Sequence, residues 1–528
     1  MQVTTAPAPG TPARRPFEGI FRNITSNWAA LIVNTVLSFV IAPIVVNHLG
    51  SVYYGIWTLL MQFTGYLWLF DFGVRESVIK YVAQYHASGE RDKLQATVQT
   101  AVSVYAVVSA LGLVAVGAIS WALPVLFNLP PEAVPAARIA AFLTGTTVAQ
   151  SFLANVFAGV LMGLQRFYLV ARVSVLFSVA RSVLIYVLLT HGYGIIALSV
   201  VQFAMSLISN GWVYRLCRVH LPDVSFGIIR PARDEVKKLL TYGQYVLIAN
   251  IGDKIIFATD ALVIGIFLPI AALTPYAVAG TLIGHLRSFI TSMASVFNPL
   301  TSSLEASRDK AALAQVVEGG CKAAMLLGLP VCIGLIMLGE RFISLWMGPV
   351  YAAEASTVLT LLAIGHIVGL PYYTISGVLY GLGEHRIVAW SRIVEGAANL
   401  TLSVILIRTY GLAGVAIGTS IPHMLVVGGL LPLALPRFFP IKLGHYYRTI
   451  YLRPLLASLP FVGACWLVVH GLDPRNLVTF FAGGLLSLVA YVVPCWAVAL
   501  SPSERTRIQS AVQRRAGRLS GRLAPARP

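Results

Sequence analysis

Charged side chains are scarce in this sequence of 528 residues. Only 11% of the residues are Asp, Glu, Lys or Arg, against about 25% in an average soluble domain. Hydrophobic residues make up 57%, and the mean hydropathy is +0.79. A soluble protein of this length needs a charged surface and a disordered chain needs low hydrophobicity, so both classes are excluded. The composition predicts a protein whose surroundings are mostly lipid.

Acidic residues and cysteines are also scarce. The chain has 20 acidic and 38 basic residues, which gives a net charge of +18. Cytoplasmic loops of membrane proteins collect Lys and Arg for topological reasons, so this excess predicts no nucleic-acid partner. The five cysteines are an odd number without CxxC spacing. They predict neither a disulfide framework nor a metal site.

Long apolar stretches are what the sequence does contain. A membrane-spanning helix needs about 20 mostly apolar residues, and fourteen stretches meet this requirement. They are 24–47, 53–72, 97–121, 136–162, 168–190, 194–214, 240–267, 276–299, 323–346, 355–380, 386–407, 411–434, 449–470 and 477–499. The predicted fold class is therefore an all-α polytopic membrane protein with about 14 transmembrane helices.

The basic residues give the predicted orientation. With a cytoplasmic N-terminus, only four of the 38 basic residues fall on the outer side: Arg138, Arg341, Arg408 and Arg475. This strong bias predicts that both termini lie in the cytoplasm. The first span is longer than a signal-peptide core and no Ala-x-Ala site follows it, so we expect it to stay as an anchor.

The first twelve spans indicate one six-helix unit used twice. Residues 159–164 (GVLMGL) recur as 377–382 (GVLYGL), and Arg91-Asp92-Lys93 recurs as Arg308-Asp309-Lys310. Both recurrences are separated by 217 or 218 positions. Because six is even, both copies enter from the same side, which predicts two parallel repeats forming two lobes. The Gly-xxx-Gly steps in the first pair of segments are typical of close helix packing.

These spans and repeats predict six segments. They are a cytoplasmic tail at 1–23, an N-terminal six-helix lobe at 24–217, a basic cytoplasmic linker at 218–239, a C-terminal six-helix lobe at 240–436, two extra transmembrane helices at 437–500, and an Arg-rich cytoplasmic tail at 501–528.

Three motifs carry a resemblance to a known family. They are residues 49–57 (LGSVYYGIW), residues 71–74 (DFGV) followed by 80–83 (KYVA), and residues 159–166 (GVLMGLQR). In order and spacing, the chain resembles the polysaccharide-transporter branch of the multidrug/oligosaccharidyl-lipid/polysaccharide exporter superfamily across residues 20–435. The resemblance implies a flippase that moves undecaprenyl-diphosphate-linked oligosaccharides from the inner to the outer leaflet by alternating access.

The same resemblance implies a place and a set of partners. We expect a multi-pass protein of the bacterial inner membrane that serves cell-surface polysaccharide biosynthesis. Its expected partners are the lipid-linked sugar, membrane lipid and polysaccharide assembly proteins, and no cofactor is expected apart from Na⁺ or H⁺ coupling. Span 24–47 lacks both the acid common in proton-coupled drug exporters and the early arginine of lipid II flippases. The glycan stays undetermined.

Six charged residues lie well inside the predicted spans. A charge near the bilayer centre costs about 2.5–3.5 kcal/mol on insertion scales, so each one needs a physical reason. The candidate cations for binding the substrate diphosphate are Arg287, Lys254 and Arg181. The candidates for a coupling ion are Asp253, Asp260 and Glu395. The alternative interpretation is that these cations and anions pair with one another as structural contacts.

Three other function classes are alternatives to the flippase. Acidic rather than basic cavity residues would indicate the first, a cation-coupled drug exporter. The second is a non-transporting membrane scaffold. A membrane enzyme would need a sizeable outer loop, and the longest predicted outer loop is 122–135. The sequence therefore predicts that the chain is not an enzyme.

Overall fold

The computed structural model describes residues 16–294, 310–382, 384–506, 509–510 and 513. Side chains are described over the same ranges apart from residues 16–28, 69, 242–258, 310, 311, 381 and 385. The chain divides into two compact units, Met1–Ile251 and Gly252–Pro528. In the described residues, all regular structure is helical.

The first unit is built from six helices and the start of a seventh. They are α1 (Pro16–Leu67), α2 (Val74–Ser88), α3 (Arg91–Leu126), α4 (Val134–Gly163), α5 (Phe167–Thr190), α6 (Ile195–His220) and α7 (Arg233–Phe267). Within the predicted linker 218–239, α6 therefore extends to His220 and α7 begins at Arg233. Ser77 of α2 donates a hydrogen bond to the carbonyl of Leu239 at 2.7 Å, which fixes the start of α7 to the first unit.

In the part of the chain that the structure describes, ten further helices follow in the second unit. The first five are α8 (Leu273–Ala294), α9 (Lys310–Trp346), α10 (Ala352–Gly369), α11 (Tyr372–Gly381) and α12 (His385–His423). Helices α13 (Leu431–Ala434), α14 (Leu443–Tyr446), α15 (Arg453–Ala457), α16 (Leu459–Leu467) and α17 (Leu477–Pro494) follow. Wide π-helical turns continue several of them, including Met424–Leu430 and Cys495–Ala499.

Two glycines break what would otherwise be overlong helices. Gly50 in α1 has φ +70° and Gly411 in α12 has φ +56°. A side chain is disfavoured at such positive φ values, and glycine adopts them readily. The stretch Ala29–Leu67 has 39 residues, which is about 58 Å of helix, close to twice the hydrocarbon thickness of a bilayer. Each break lies at a turn that the sequence predicts between two spans.

The apolar helices confirm the predicted helical membrane fold. Among the described residues, ten helices are long and apolar enough to cross a membrane. Two predicted boundaries were wrong. The second span stops at Leu67, before a 3₁₀ turn at Trp68–Asp71, and span 355–380 is interrupted at Pro371 between α10 and α11. Proline removes a helical hydrogen bond, which explains the second interruption. The count of fourteen crossings stays a prediction.

The core of the first unit forms where α2, α3 and α4 meet. Val78, Val98 and Phe152 are fully buried there. A Cβ atom added at Gly163 of α4 would lie 2.9 Å from Val82 of α2 and 3.0 Å from the carbonyl oxygen of Ile79. The first Gly-xxx-Gly step therefore lets α4 approach the backbone of α2, which is a packing role.

A charged contact fixes the segment after the last apolar helix. Lys322 of α9 donates a hydrogen bond to Glu504 at 2.6 Å, and the backbone N–H of Ser501 donates to the same oxygen at 2.7 Å. Partial burial opposes ionisation of Glu504, but these hydrogen bonds outweigh it and lower the pKa of the carboxyl. The contact joins the C-terminal segment to α9 within the second unit.

We expect Gly163→Val to destabilise the first unit by about 1–3 kcal/mol, because the added side chain overpacks the contact with α2. The measurement is the thermal unfolding temperature of the purified protein in detergent. Gly117→Val on α3 is the matched control, since a Cβ atom there would meet no heavy atom within 4 Å. Equal unfolding temperatures for the two variants would contradict the packing role of Gly163.

Candidate functional site

Helix α12 folds back on itself at Gly411 and brings two polar faces together. His423 in the second half bonds Glu395 in the first half, and the hydroxyl of Ser403 bonds the carbonyl of Val415 at 3.4 Å. Gly418 packs so close to Ser403 that an added Cβ atom would lie 2.6 Å from its backbone nitrogen. The two halves are therefore antiparallel, and residues four apart on each half face the same partner segment.

Glu395 is the centre of a buried ion cluster. Its carboxylate is fully buried and accepts hydrogen bonds from Nη1 of Arg392 at 2.8 Å and from Nδ1 of His423 at 2.7 Å. Arg392 is also buried and lies over the ring of Tyr372, 4.8 Å from its centroid. Both oxygens of Glu395 thus have a partner within the second unit, which is the geometry of a counter-ion.

Two imidazole rings and Arg287 extend this cluster. The His366 and His423 rings lie 5.1 Å apart, and Nδ1 of His366 bonds the carbonyl of Leu362 at 2.9 Å. Because these partners are acceptors, each ring carries a hydrogen on Nδ1. Arg287 on α8 lies close enough for its charge to act on the His366 ring. The structure thus brings the predicted residues Arg287 and Glu395 into one electrostatic cluster.

Asp260 of α7 lies in a second, oxygen-rich cluster. Its partners on α12, Asn399 and Thr419, are each about one helical turn from Glu395 or His423. Oδ2 of Asp260 accepts hydrogen bonds from the hydroxyl of Tyr276 at 2.6 Å and that of Thr419 at 2.8 Å. Asn399, which is fully buried, lies beside the same carboxyl. Among the described residues, neither Oδ1 of Asp260 nor the amide of Asn399 has a well-aligned hydrogen bond. Carboxylate, amide and hydroxyl oxygens at one point suit a hard cation or a proton.

Arg181 lies in the first unit, on the wall of a polar cavity between α4, α5 and α6. Its Nη1 donates a hydrogen bond to Oε1 of Gln202 at 3.0 Å. No carboxylate of a described residue forms an ion pair with Arg181, and none lines the cavity. The cavity volume is about 280 Å³. Its polar lining residues are Ser151, Asn155, Ser174, Ser178, Arg181, Gln202, Ser206, Ser209 and Asn210.

The remaining candidates, Asp253 and Lys254, lie on α7, and their side chains are outside the described residues. In the part that the structure describes, no three His, Cys, Asp or Glu side chains meet as a metal site. Sequence reasoning missed Tyr276, Asn399, Thr419 and Gln202. Asn399 and Thr419 had a signal, since each lies four positions from Glu395 or His423 inside an apolar span.

Comparison with known proteins relates the chain to polysaccharide biosynthesis. The family described as "Polysaccharide biosynthesis protein" matches residues 20–305, more than half of the chain. Agl15 of Haloferax volcanii, named a probable low-salt glycan biosynthesis flippase, is 26% identical over 204 residues, which are 38% of this chain and 42% of Agl15. The match thus spans less than half the length of that relative. EpsK of Bacillus subtilis, an uncharacterized membrane protein, is 21% identical over 460 residues, 85% of this chain and 89% of EpsK.

The fold resembles a solved flippase structure. The lipid II flippase MurJ in an inward closed conformation superimposes with a TM-score of 0.69 at 16% identity, over 90% of this chain and 98% of MurJ. Together with the family match, this confirms the predicted resemblance and the helical membrane fold. The expectation that the chain is not an enzyme is also confirmed, because the relatives with a named activity are flippases or transporters.

Glu395→Gln is expected to destabilise the second unit by about 3–5 kcal/mol, because it leaves the buried Arg392 without its counter-ion. Thermal unfolding of the purified protein measures this. Glu354→Gln, at an exposed position on α10, is the matched control and should unfold like the unaltered protein. An unchanged unfolding temperature with lost transport would remove the structural role and make Glu395 a transport residue.

Proposed function

Since the chain belongs to the polysaccharide biosynthesis protein family, we propose that it is a flippase for an undecaprenyl-diphosphate-linked oligosaccharide. It moves this lipid-linked sugar from the inner to the outer leaflet by alternating access and so supplies cell-surface polysaccharide biosynthesis. The protein lies in the bacterial inner membrane with both termini in the cytoplasm, where the basic residues stay. Assembly proteins of the same polysaccharide receive the flipped product.

The observation that carries this proposal is the charge of the embedded polar sites. Arg181 has a neutral amide as its hydrogen-bond partner and no described carboxylate as an ion-pair partner. An embedded cation without a counter-ion is expensive in lipid surroundings, so a protein that keeps one is expected to use it on an anion. A cationic drug would be repelled by such a site, which disfavours the drug-exporter alternative. A membrane scaffold requires no embedded cation of this kind.

We assign the diphosphate to Arg287 and Lys254, and a different anionic group of the substrate to Arg181. The planar guanidinium of Arg287 binds phosphate oxygens through two parallel hydrogen bonds, and Lys254 acts as a point charge. Arg287 lies in the electrostatic cluster of the second unit, where Glu395 is already engaged by Arg392 and His423. Glu395 therefore acts as a structural counter-ion in this proposal, and Arg287 is assigned to the substrate.

The coupling ion is assigned to the Asp260 cluster. Asp260, Asn399 and Thr419 offer oxygen atoms of three kinds at one buried point. Na⁺ accepts such ligands, and a proton on Oδ1 of Asp260 would serve the same cycle. Because α12 carries both Thr419 of this cluster and His423 of the Glu395 cluster, occupancy of the ion site and the position of the charged cluster are linked through one helix segment. Asp253 stays a candidate second acid.

Arg287→Ala is expected to weaken export of the lipid-linked sugar by roughly ten- to a hundredfold, since a charge-assisted hydrogen bond contributes about 1.5–3 kcal/mol. Arg287→Lys should restore only part of it, because the planar fork is lost. The assay measures transfer of a fluorescent diphosphate-linked oligosaccharide across proteoliposomes, normalised to folded protein. Arg386→Ala, at an exposed position, is the control. Normal export by the Arg287→Ala/Lys254→Ala double variant would remove both residues from the site.

Asp260→Asn is expected to abolish the dependence of flipping on a Na⁺ or pH gradient, because the amide carries no negative charge. Without any substrate, NaCl should raise the unfolding temperature of the unaltered protein above its value in KCl by mass action if Na⁺ is the coupling ion. Asp260→Asn should lose this difference, whereas Asp223→Asn, at an exposed position paired with Arg91, should keep it. Gradient-dependent flipping by Asp260→Asn would contradict the assignment.

A further inference from the structure

The polar cavity of the first unit has its own chemistry, distinct from that of the Arg287 cluster. On α5, Ser174 lies seven residues from Arg181 toward the end of the helix that is predicted to face the cytoplasm. On α6, Asn210 lies eight residues from Gln202 toward the same end. Hydroxyl and amide groups therefore line the part of the cavity that lies in the cytoplasmic half. The Arg181–Gln202 pair lies farther from the cytoplasm.

The lining of this cavity and its volume of about 280 Å³ suit a small polar ligand such as a single sugar ring. The lining combines serine hydroxyls and amide groups with the aromatic rings of Trp68 and Phe177. Binding sites for small polar ligands commonly combine aromatic walls with a few well-placed hydrogen-bonding groups. Lipid tails form no hydrogen bonds with these hydroxyls.

The charge of the cavity indicates which class of sugar it binds. Arg181 is the one charged side chain among the described lining residues. One guanidinium neutralises one negative charge, and a diphosphate with two or more would keep a remainder in a low-dielectric site. A carboxylate carries one charge and matches the planar fork of arginine with two parallel hydrogen bonds.

We infer that this cavity is a subsite for an acidic sugar residue, a hexuronate or a similar carboxylated pyranose, with Arg181 holding the carboxylate and Gln202 orienting the guanidinium. The inference rests on the proposed function for its substrate and adds a preference for glycans that contain an acidic sugar. Serine and asparagine side chains on α4, α5 and α6 bind the ring hydroxyls. The lipid diphosphate is bound elsewhere, by Arg287 and Lys254.

The test is direct binding to the purified full-length protein in lipid nanodiscs, measured by saturation-transfer NMR. The probes are methyl glucuronide, methyl glucoside and inorganic phosphate. We expect methyl glucuronide to bind at least tenfold more tightly than methyl glucoside, and any phosphate binding, which the proposed Arg287 and Lys254 site would give, to be unchanged by Arg181→Gln. Equal binding of glucuronide and glucoside would overturn the inference, and phosphate binding that Arg181→Gln abolishes would assign the cavity to the lipid diphosphate instead.

Two variants locate the binding. Arg181→Gln should reduce glucuronide affinity to that of the glucoside. Gln202→Glu keeps the guanidinium but gives it an internal carboxylate partner, so it should also reduce glucuronide affinity at least tenfold, even if Arg181→Gln fails to fold. Arg172→Gln, on the same helix with its guanidinium over the Tyr168 ring, is the matched control and should bind normally. Glucuronide binding that survives Gln202→Glu would overturn the role of Arg181.

The outcome is separable from that of the proposed function. Flipping of a diphosphate-linked neutral oligosaccharide without glucuronide binding would overturn the subsite and leave the flippase standing. Glucuronide binding that depends on Arg181, in a protein that flips no diphosphate-linked sugar, would keep the subsite and overturn the flippase.

Discussion

The low dielectric of the membrane interior is the constraint on which the polar sites of this protein depend. A charge there is expensive unless a counter-ion or several hydrogen bonds compensate it. The second unit meets this constraint with a complete cluster, in which Arg392 and His423 both bond the fully buried Glu395. In the first unit, Arg181 bonds the neutral amide of Gln202 and forms an ion pair with no carboxylate of a described residue. This contrast separates structural charges from those free to act on a ligand.

The fold-back of α12 makes the Glu395 ion cluster and the oxygen cluster around Asp260 neighbours. Gly411 adopts φ +56° and reverses the chain, so that Glu395 and Asn399 on one half face His423 and Thr419 on the other. Glu395 belongs to the ion cluster and Asn399 to the oxygen cluster around Asp260. An ion that binds Asp260 therefore acts on the same two helix segments that hold the charged cluster. Such an arrangement is suited to coupling, because a change at one cluster displaces groups of the other.

The two proposed binding roles divide the substrate by its chemistry. A diphosphate carries several charges and calls for Arg287 and Lys254, while a carboxylated sugar carries one and calls for Arg181. The hydroxyl groups that line the cavity of the first unit find no hydrogen-bond partners on lipid tails, but a sugar ring offers them. Lipid, phosphate and glycan thus need three different surroundings, and the embedded polar residues supply the latter two.

The sequence by itself determined the membrane class and most of the helices, because the lipid thickness sets the length of an apolar run and glycine and proline mark its ends. It also determined the family resemblance and drew attention to Arg181, Asp260, Arg287 and Glu395, since a charge within an apolar span is conspicuous. Only the tertiary structure decided which of these charges are compensated. Hydrogen-bond partners such as Tyr276 for Asp260 come from other helices, and no spacing along the chain specifies which faces of two helices meet. For the same reason the sequence did not predict the cavity around Arg181. Its serines are scattered over three helices, and they line one cavity only when those helices pack.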